Sequence, residues 1–108
     1  MKAWRAEQFG NPLDVLNLVE LDPPSPGPGE VLVKVSRVST GMPDVMGLQG
    51  WYPPIPEPPV IPGHCLSGTV VSVGPGVRDI SGQDVMAMSK FIVGVGLGGT
   101  SDLAVALA

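Results

Sequence analysis

The stretch Ile61-Pro62-Gly63-His64-Cys65-Leu66-Ser67-Gly68-Thr69-Val70-Val71-Ser72-Val73-Gly74-Pro75-Gly76-Val77 holds a strand with its punctuation on both sides. Ser67 to Val73 is rich in β-branched residues, and Gly74-Pro75-Gly76 ends it in a turn. Gly68 inside the run marks either a bulge or a point where another backbone comes close. The expected partner is Val85 to Val93, reached through a second turn at Ser81-Gly82.

Working outward, the clearest strand lies at Glu30 to Val38. Val31, Val33 and Val35 fall on one face at period two, and Lys34 and Ser36 on the other. Leu32 and Val38 interrupt the polar face, so part of it is expected to be covered as well. The run Pro23-Pro24-Ser25-Pro26-Gly27-Pro28-Gly29 has too few backbone donors for a ladder and reads as a turn joining this strand to Val15 to Leu21. Pro43 to Leu48 is the candidate short helix, with Pro43 in its first turn and Gly50 beyond its end. The six prolines in the run from Trp51 through Pro62 make that segment an irregular, partly extended loop. With 15 glycines and 13 prolines in 108 residues, the punctuation is that of many short strands in a barrel or sandwich with little helix.

The bulk properties narrow the function. A chain of 108 residues fits one domain with a real core and leaves no room for a second of ordinary size. The six basic residues are dispersed and the net charge is −4, which argues against nucleic acid as a partner. No apolar run reaches the roughly 18 residues of a membrane span, and the start lacks a signal-peptide core, so a cytoplasmic location is expected. One cysteine, Cys65, excludes an internal disulfide framework and a multi-cysteine zinc site.

The order of these elements, with the runs at 26–35 and 61–77, resembles the N-terminal GroES-like domain of the medium-chain dehydrogenases/reductases over nearly all of residues 1–108. The resemblance implies a mainly β fold, a partly open barrel with one short helix and a proline-rich loop. Gly50-Trp51-Tyr52-Pro53-Pro54 is similar to the glycine-tyrosine-proline turn of the zinc-free quinone oxidoreductases. Those enzymes pass hydride from NADPH to a quinone, enone or other activated carbonyl bound between two domains. The resemblance makes this chain the substrate side and places the nucleotide on a Rossmann domain that residues 1–108 do not contain. On that reading Tyr52 forms the substrate wall, and Tyr52, Thr40 and His64 are the donors able to polarise a carbonyl. Tyr52 could equally be an aromatic packed on the proline loop.

Zinc-dependent members supply a cysteine ligand at the position of Gly41, which has no donor atom, so no zinc is expected although His64 holds the family's second-ligand position. Zinc-free members commonly have an asparagine there, so Gly41 removes a polar pocket group as well. Cys65 stands where many members carry an acid, and Gly82-Gln83-Asp84-Val85 departs from the usual glycine-aspartate-basic-valine order. Adjacent residues of an extended chain face opposite ways, which disfavours a joint His64–Cys65 site. His64 is expected to bond within its loop or face the cleft, Cys65 to pack as a small hydrophobe, and Asp44 to cap the short helix.

Gly94-Val95-Gly96-Leu97-Gly98-Gly99 has the spacing of a dinucleotide fingerprint, with Thr100-Ser101-Asp102 placed to cap a following helix. A working unit also needs that helix, a parallel strand and a later acid, for which no residues remain. The competing reading makes the glycines a turn leading into a barrel strand, and it is preferred. Two functions are compatible with these features. One is the substrate-side domain of an oxidoreductase, inactive alone and completed by a nucleotide-binding domain. The other is a non-catalytic truncated isoform or interaction module, prone to homo-oligomerise through exposed edges and the apolar run Leu103 to Ala108.

Overall fold

The computed structural model describes residues 1–51, 57–88 and 100–108. Its spine is β3 (Glu30–Ser39), the longest strand. β1 (Lys2–Ala6) and β2 (Leu16–Glu20) form an antiparallel pair, while β4 (Cys65–Val73), β5 (Asp84–Met88) and β6 (Leu103–Leu107) join β3 in a four-stranded antiparallel sheet of order β5-β4-β3-β6. Isolated bridges Ala3↔Ser101 and Ala6↔Val60 tie β1 to the start of β6 and to the end of the proline-rich loop. Among the described residues the strands do not close into a continuous ring, so the barrel is partly open.

The period-two reading of β3 holds for its first half. Val31 and Val33 are buried with Leu66 and Val70 of β4 and Ala104 and Ala106 of β6, and Val35, Val73, Val77, Ile80, Val85 and Ala87 pack around them. Past Val35 the register slips by a bulge before Arg37. The slip changes the phase by one residue, so Val38 pairs with the buried Leu66 while its own side chain stays 37% exposed. Gly68 sits beside this irregularity, paired with Val35. A Cβ there would lie 2.2 Å from the Lys34 carbonyl oxygen, so Gly68 marks a close backbone approach.

Among the described residues there are two helices rather than the single one expected. α1 (Pro12–Val15) arises because Asn11 accepts the Leu13 N–H at 3.0 Å on its side-chain oxygen and Pro12 occupies the first helical turn. Val15 therefore ends a helix, and the strand expected from Val15 begins at Leu16. The second helix, α2 (Met42–Gln49), is the predicted one extended by a residue at each end. Gly50 stops it in the left-handed conformation at φ 81°. Val15 of α1, Leu48 of α2 and Ala6 of β1 make a second small core with Leu16 and Val60. β5 is described from Asp84 to Met88, and the remainder of its expected span to Val93 lies outside the described residues. β6 decides between the two readings of the chain end. Residues 103–107 form a strand paired with β3, not a helix capped by Thr100-Ser101-Asp102.

The turn before β5 gives a pH prediction. The Asp79 carboxylate accepts the Ser81 backbone N–H at 3.0 Å, and this bond, helped by the Ser81 side chain, holds its pKa below the ordinary aspartate value of 3.8. A depressed folded-state pKa contributes stability above the unfolded value and loses it as pH falls through the folded one. Carboxyl-carbon NMR is expected to give Asp79 a titration midpoint below 3.8, and Asp79→Asn to abolish that contribution to acid sensitivity.

Candidate functional site

The candidate site forms where the first turn of α2 meets the loop leading into β4. Gly41, the N-cap residue, is extended, and Pro43 fixes the entry of the helix. This places Asp44 at the third helical position, turned inward and only 6% exposed. Its carboxylate is satisfied from three directions. Oδ2 accepts the Gly41 N–H at 2.9 Å, and Oδ1 accepts the Gly63 N–H at 2.8 Å and contacts His64 Nδ1 at 2.6 Å. Since that carboxylate is already an acceptor for two amides, the imidazole presents Nδ1 as the donor. The helix cap expected of Asp44 is present. Its larger role is to bind helix, loop and imidazole into one unit.

Beside this unit lies a groove of about 430 Å³. Trp4, Pro12, Leu13, Leu16, Val45 and Leu48 supply its apolar lining, and Thr40, Asp44 and Thr100 its polar points. Trp4 and Leu13 are 46% and 92% exposed, so the apolar wall faces outward. Such a surface takes an apolar ligand and orients it by a few hydroxyl contacts. Thr100 is itself tied to the loop, its hydroxyl donating to the Pro62 carbonyl at 2.8 Å.

Of the three donors read from sequence, Thr40 lines the groove. His64 is joined to it through Asp44 and is not among the residues that line this groove. Tyr52 lies outside the described residues, as does the glycine run Gly94 to Gly99. Cys65 is a free thiol within the ladder, between Ser39 and Met88, while His64 turns toward Asp44. Sequence reading missed Trp4, Leu13, Val45 and Thr100 as lining, because distant segments bring them together. It also missed the Asp44–His64 contact, for which only the helix-cap signal pointed inward.

A carboxylate that grips one imidazole nitrogen is also how proteins orient a metal-binding histidine. Here the donors fall short of a zinc set. Gly41 has no side chain to offer, and among the described residues no three His, Cys, Asp or Glu side chains gather.

Residues 27–106 match the model of the alcohol dehydrogenase GroES-like domain. The chain belongs to that family. Its GroES-like domain places it in the medium-chain dehydrogenase/reductase superfamily, among N-terminal domains of oxidoreductases. It is 44% identical to an L-threonine 3-dehydrogenase of Thermococcus kodakarensis over 78 residues, covering 70% of this chain and 22% of that one. A mycobacterial protein solved in complex with NADPH superposes with a TM-score of 0.83 at 32% identity, over 100% of this chain and 32% of its own. The quinone oxidoreductase of Coxiella burnetii gives a TM-score of 0.79 at 25% identity, over 99% of this chain and 34% of its own. The GroES-like chain thus spans about a fifth of the length of its curated relatives and a third of these solved ones. No helix among its described residues is long and apolar enough to cross a membrane.

Proposed function

We propose that this GroES-like domain is the substrate side of a zinc-free, NADPH-dependent oxidoreductase of the quinone oxidoreductase type, acting on a quinone, enone or other activated carbonyl. The observation that carries the reading is the corner at Gly41. The Asp44–His64 pair is built there, yet the position that would complete a metal set is a glycine, and the adjoining groove is largely apolar with Thr40 in its lining. An apolar wall suits a flat, weakly polar acceptor, and a hydroxyl donor rather than a Lewis acid would polarise its carbonyl. NADPH supplies the hydride, and we assign it to a Rossmann domain provided by a longer chain or by a partner. On this reading residues 1–108 alone form one domain without turnover. A cytoplasmic setting accords with a reductase fed by NADPH.

The outward-facing Trp4 and Leu13 also favour a second reading, a non-catalytic module whose apolar groove is covered by another protein. Titration of the 108-residue chain with a simple naphthoquinone, followed by amide NMR, separates the two. Shifts are expected at Thr40, Val45, Leu48 and Thr100, weakened by Thr40→Ala, with no response to NADPH and no NADPH oxidation. A quinone that leaves these residues unmoved defeats the substrate-side reading, and NADPH turnover by the chain alone defeats the assignment of the nucleotide to another domain.

A further inference from the structure

We infer that the outer edge of β6 is a self-pairing edge, through which two copies of the chain join their sheets in an antiparallel β6–β6 contact. Backbone parity fixes which groups of β6 face outward. Val35 donates its N–H to the Asp102 carbonyl at 3.0 Å and Ala108 donates to Gly29 at 3.0 Å. With the register Lys34↔Leu103 to Glu30↔Leu107, the bonded pairs of this ladder are those of Ala104 and Ala106. The N–H and C=O groups of Leu103, Val105 and Leu107 therefore point away from β3. The Leu103 carbonyl is taken by the Ser101 hydroxyl at 2.8 Å. Those of Val105 and Leu107 have no partner among the described residues.

This edge lacks the devices that keep strands apart. From Leu103 to Leu107 it carries no charge, proline or bulge. The opposite edge of the sheet, β5, carries the charge of Asp84. The occupant that fits β6 is another β6. The unpaired residues are two positions apart, so a twofold axis through Ala106 sets Val105 of each copy against Leu107 of the other and closes four hydrogen bonds. The same axis pairs Val105 with Leu107 on one face of the joined sheet and Ala106 with Ala106 on the core face. No like charges meet. A five-residue edge is short beside the roughly 1,200–2,000 Å² of a stable interface, so the dimer is weak and concentration-dependent. The pairing does not depend on the substrate reading, and failure of either leaves the other intact.

Sedimentation velocity of the intact chain from about 10 μM to 1 mM is the test, a range that brackets a weak dimer. The expected result is a monomer–dimer shift, with exchange of the Val105 and Leu107 amides slowing on concentration and that of Ala104 and Ala106 unchanged. Val105→Pro removes an outward N–H that β3 does not use, and Leu107→Lys places a charge beside the axis. Each should weaken association about tenfold or more while far-UV circular dichroism stays native. Should Val105→Pro disturb the fold, Leu107→Lys decides. A chain that stays monomeric throughout, a dimer indifferent to Leu107→Lys, or growth into oligomers larger than two overturns the proposal.

Discussion

Gly68→Ala is expected to lower stability by about 4 kcal/mol or more, enough to leave much of a marginally stable domain unfolded. The added Cβ would meet the Lys34 carbonyl oxygen at 2.2 Å and Val33 Cγ1 at 2.8 Å. Lys34 is backbone within the central strand, and Val33 is fully buried, so neither neighbour can swing aside. Relief requires prying β4 from β3 at the bulge, which breaks ladder bonds on both sides. Urea denaturation followed by circular dichroism checks it. Gly76→Ala is the control, since it meets nothing within 4 Å and carries only the strain of φ +80°, a cost of roughly 1–2 kcal/mol. Equal losses for the two variants would contradict the steric account.

Asp44→Ala should cost roughly 3 kcal/mol and lower the melting temperature by about 12–20 °C for a domain of this size. The change strands the Gly41 and Gly63 amides and takes from the His64 imidazole its contact with the same buried carboxylate. It also removes the anion from the first turn of α2. Asp44→Asn should cost less, because one acceptor oxygen remains. His64→Ala should cost less again, because the carboxylate keeps both backbone donors. Thermal melts of the three variants give the order, and a His64→Ala variant as damaged as Asp44→Ala would move the centre of the unit to the imidazole.

The fold was legible where one local pattern determines it. Alternation placed Val31 and Val33 in the core, Pro43 and Gly50 bracketed α2, and Gly68 signalled a bulge or a close approach inside a β-branched run. α1 was legible too in its Asn11-Pro12 start, but its four residues are too few to show a helical period. What stayed hidden depends on contacts between distant segments. The bulge that pairs Val38 with Leu66 is set by the fit of β4 on β3. The grip of Asp44 on His64 joins residues 20 apart, and nothing in the short helix says where that carboxylate finds its partners. Thr40 and His64 were read as equals; Thr40 lines the groove and His64 contacts Asp44, which lines it too. The role of Tyr52 rests on its resemblance to the family turn.

The pairing of β6 with β3 also sets the timing of folding. Val31 and Val33 emerge early from a ribosome, but the alanines that cover them on one side, Ala104 and Ala106, belong to the sixth of the described strands. Until that strand arrives, β3 lacks one of its two ladder partners. Domains built on such distant pairings fold in milliseconds to seconds rather than microseconds. Throughout that interval the valine face of β3 is open to chaperones and to neighbouring unfinished chains.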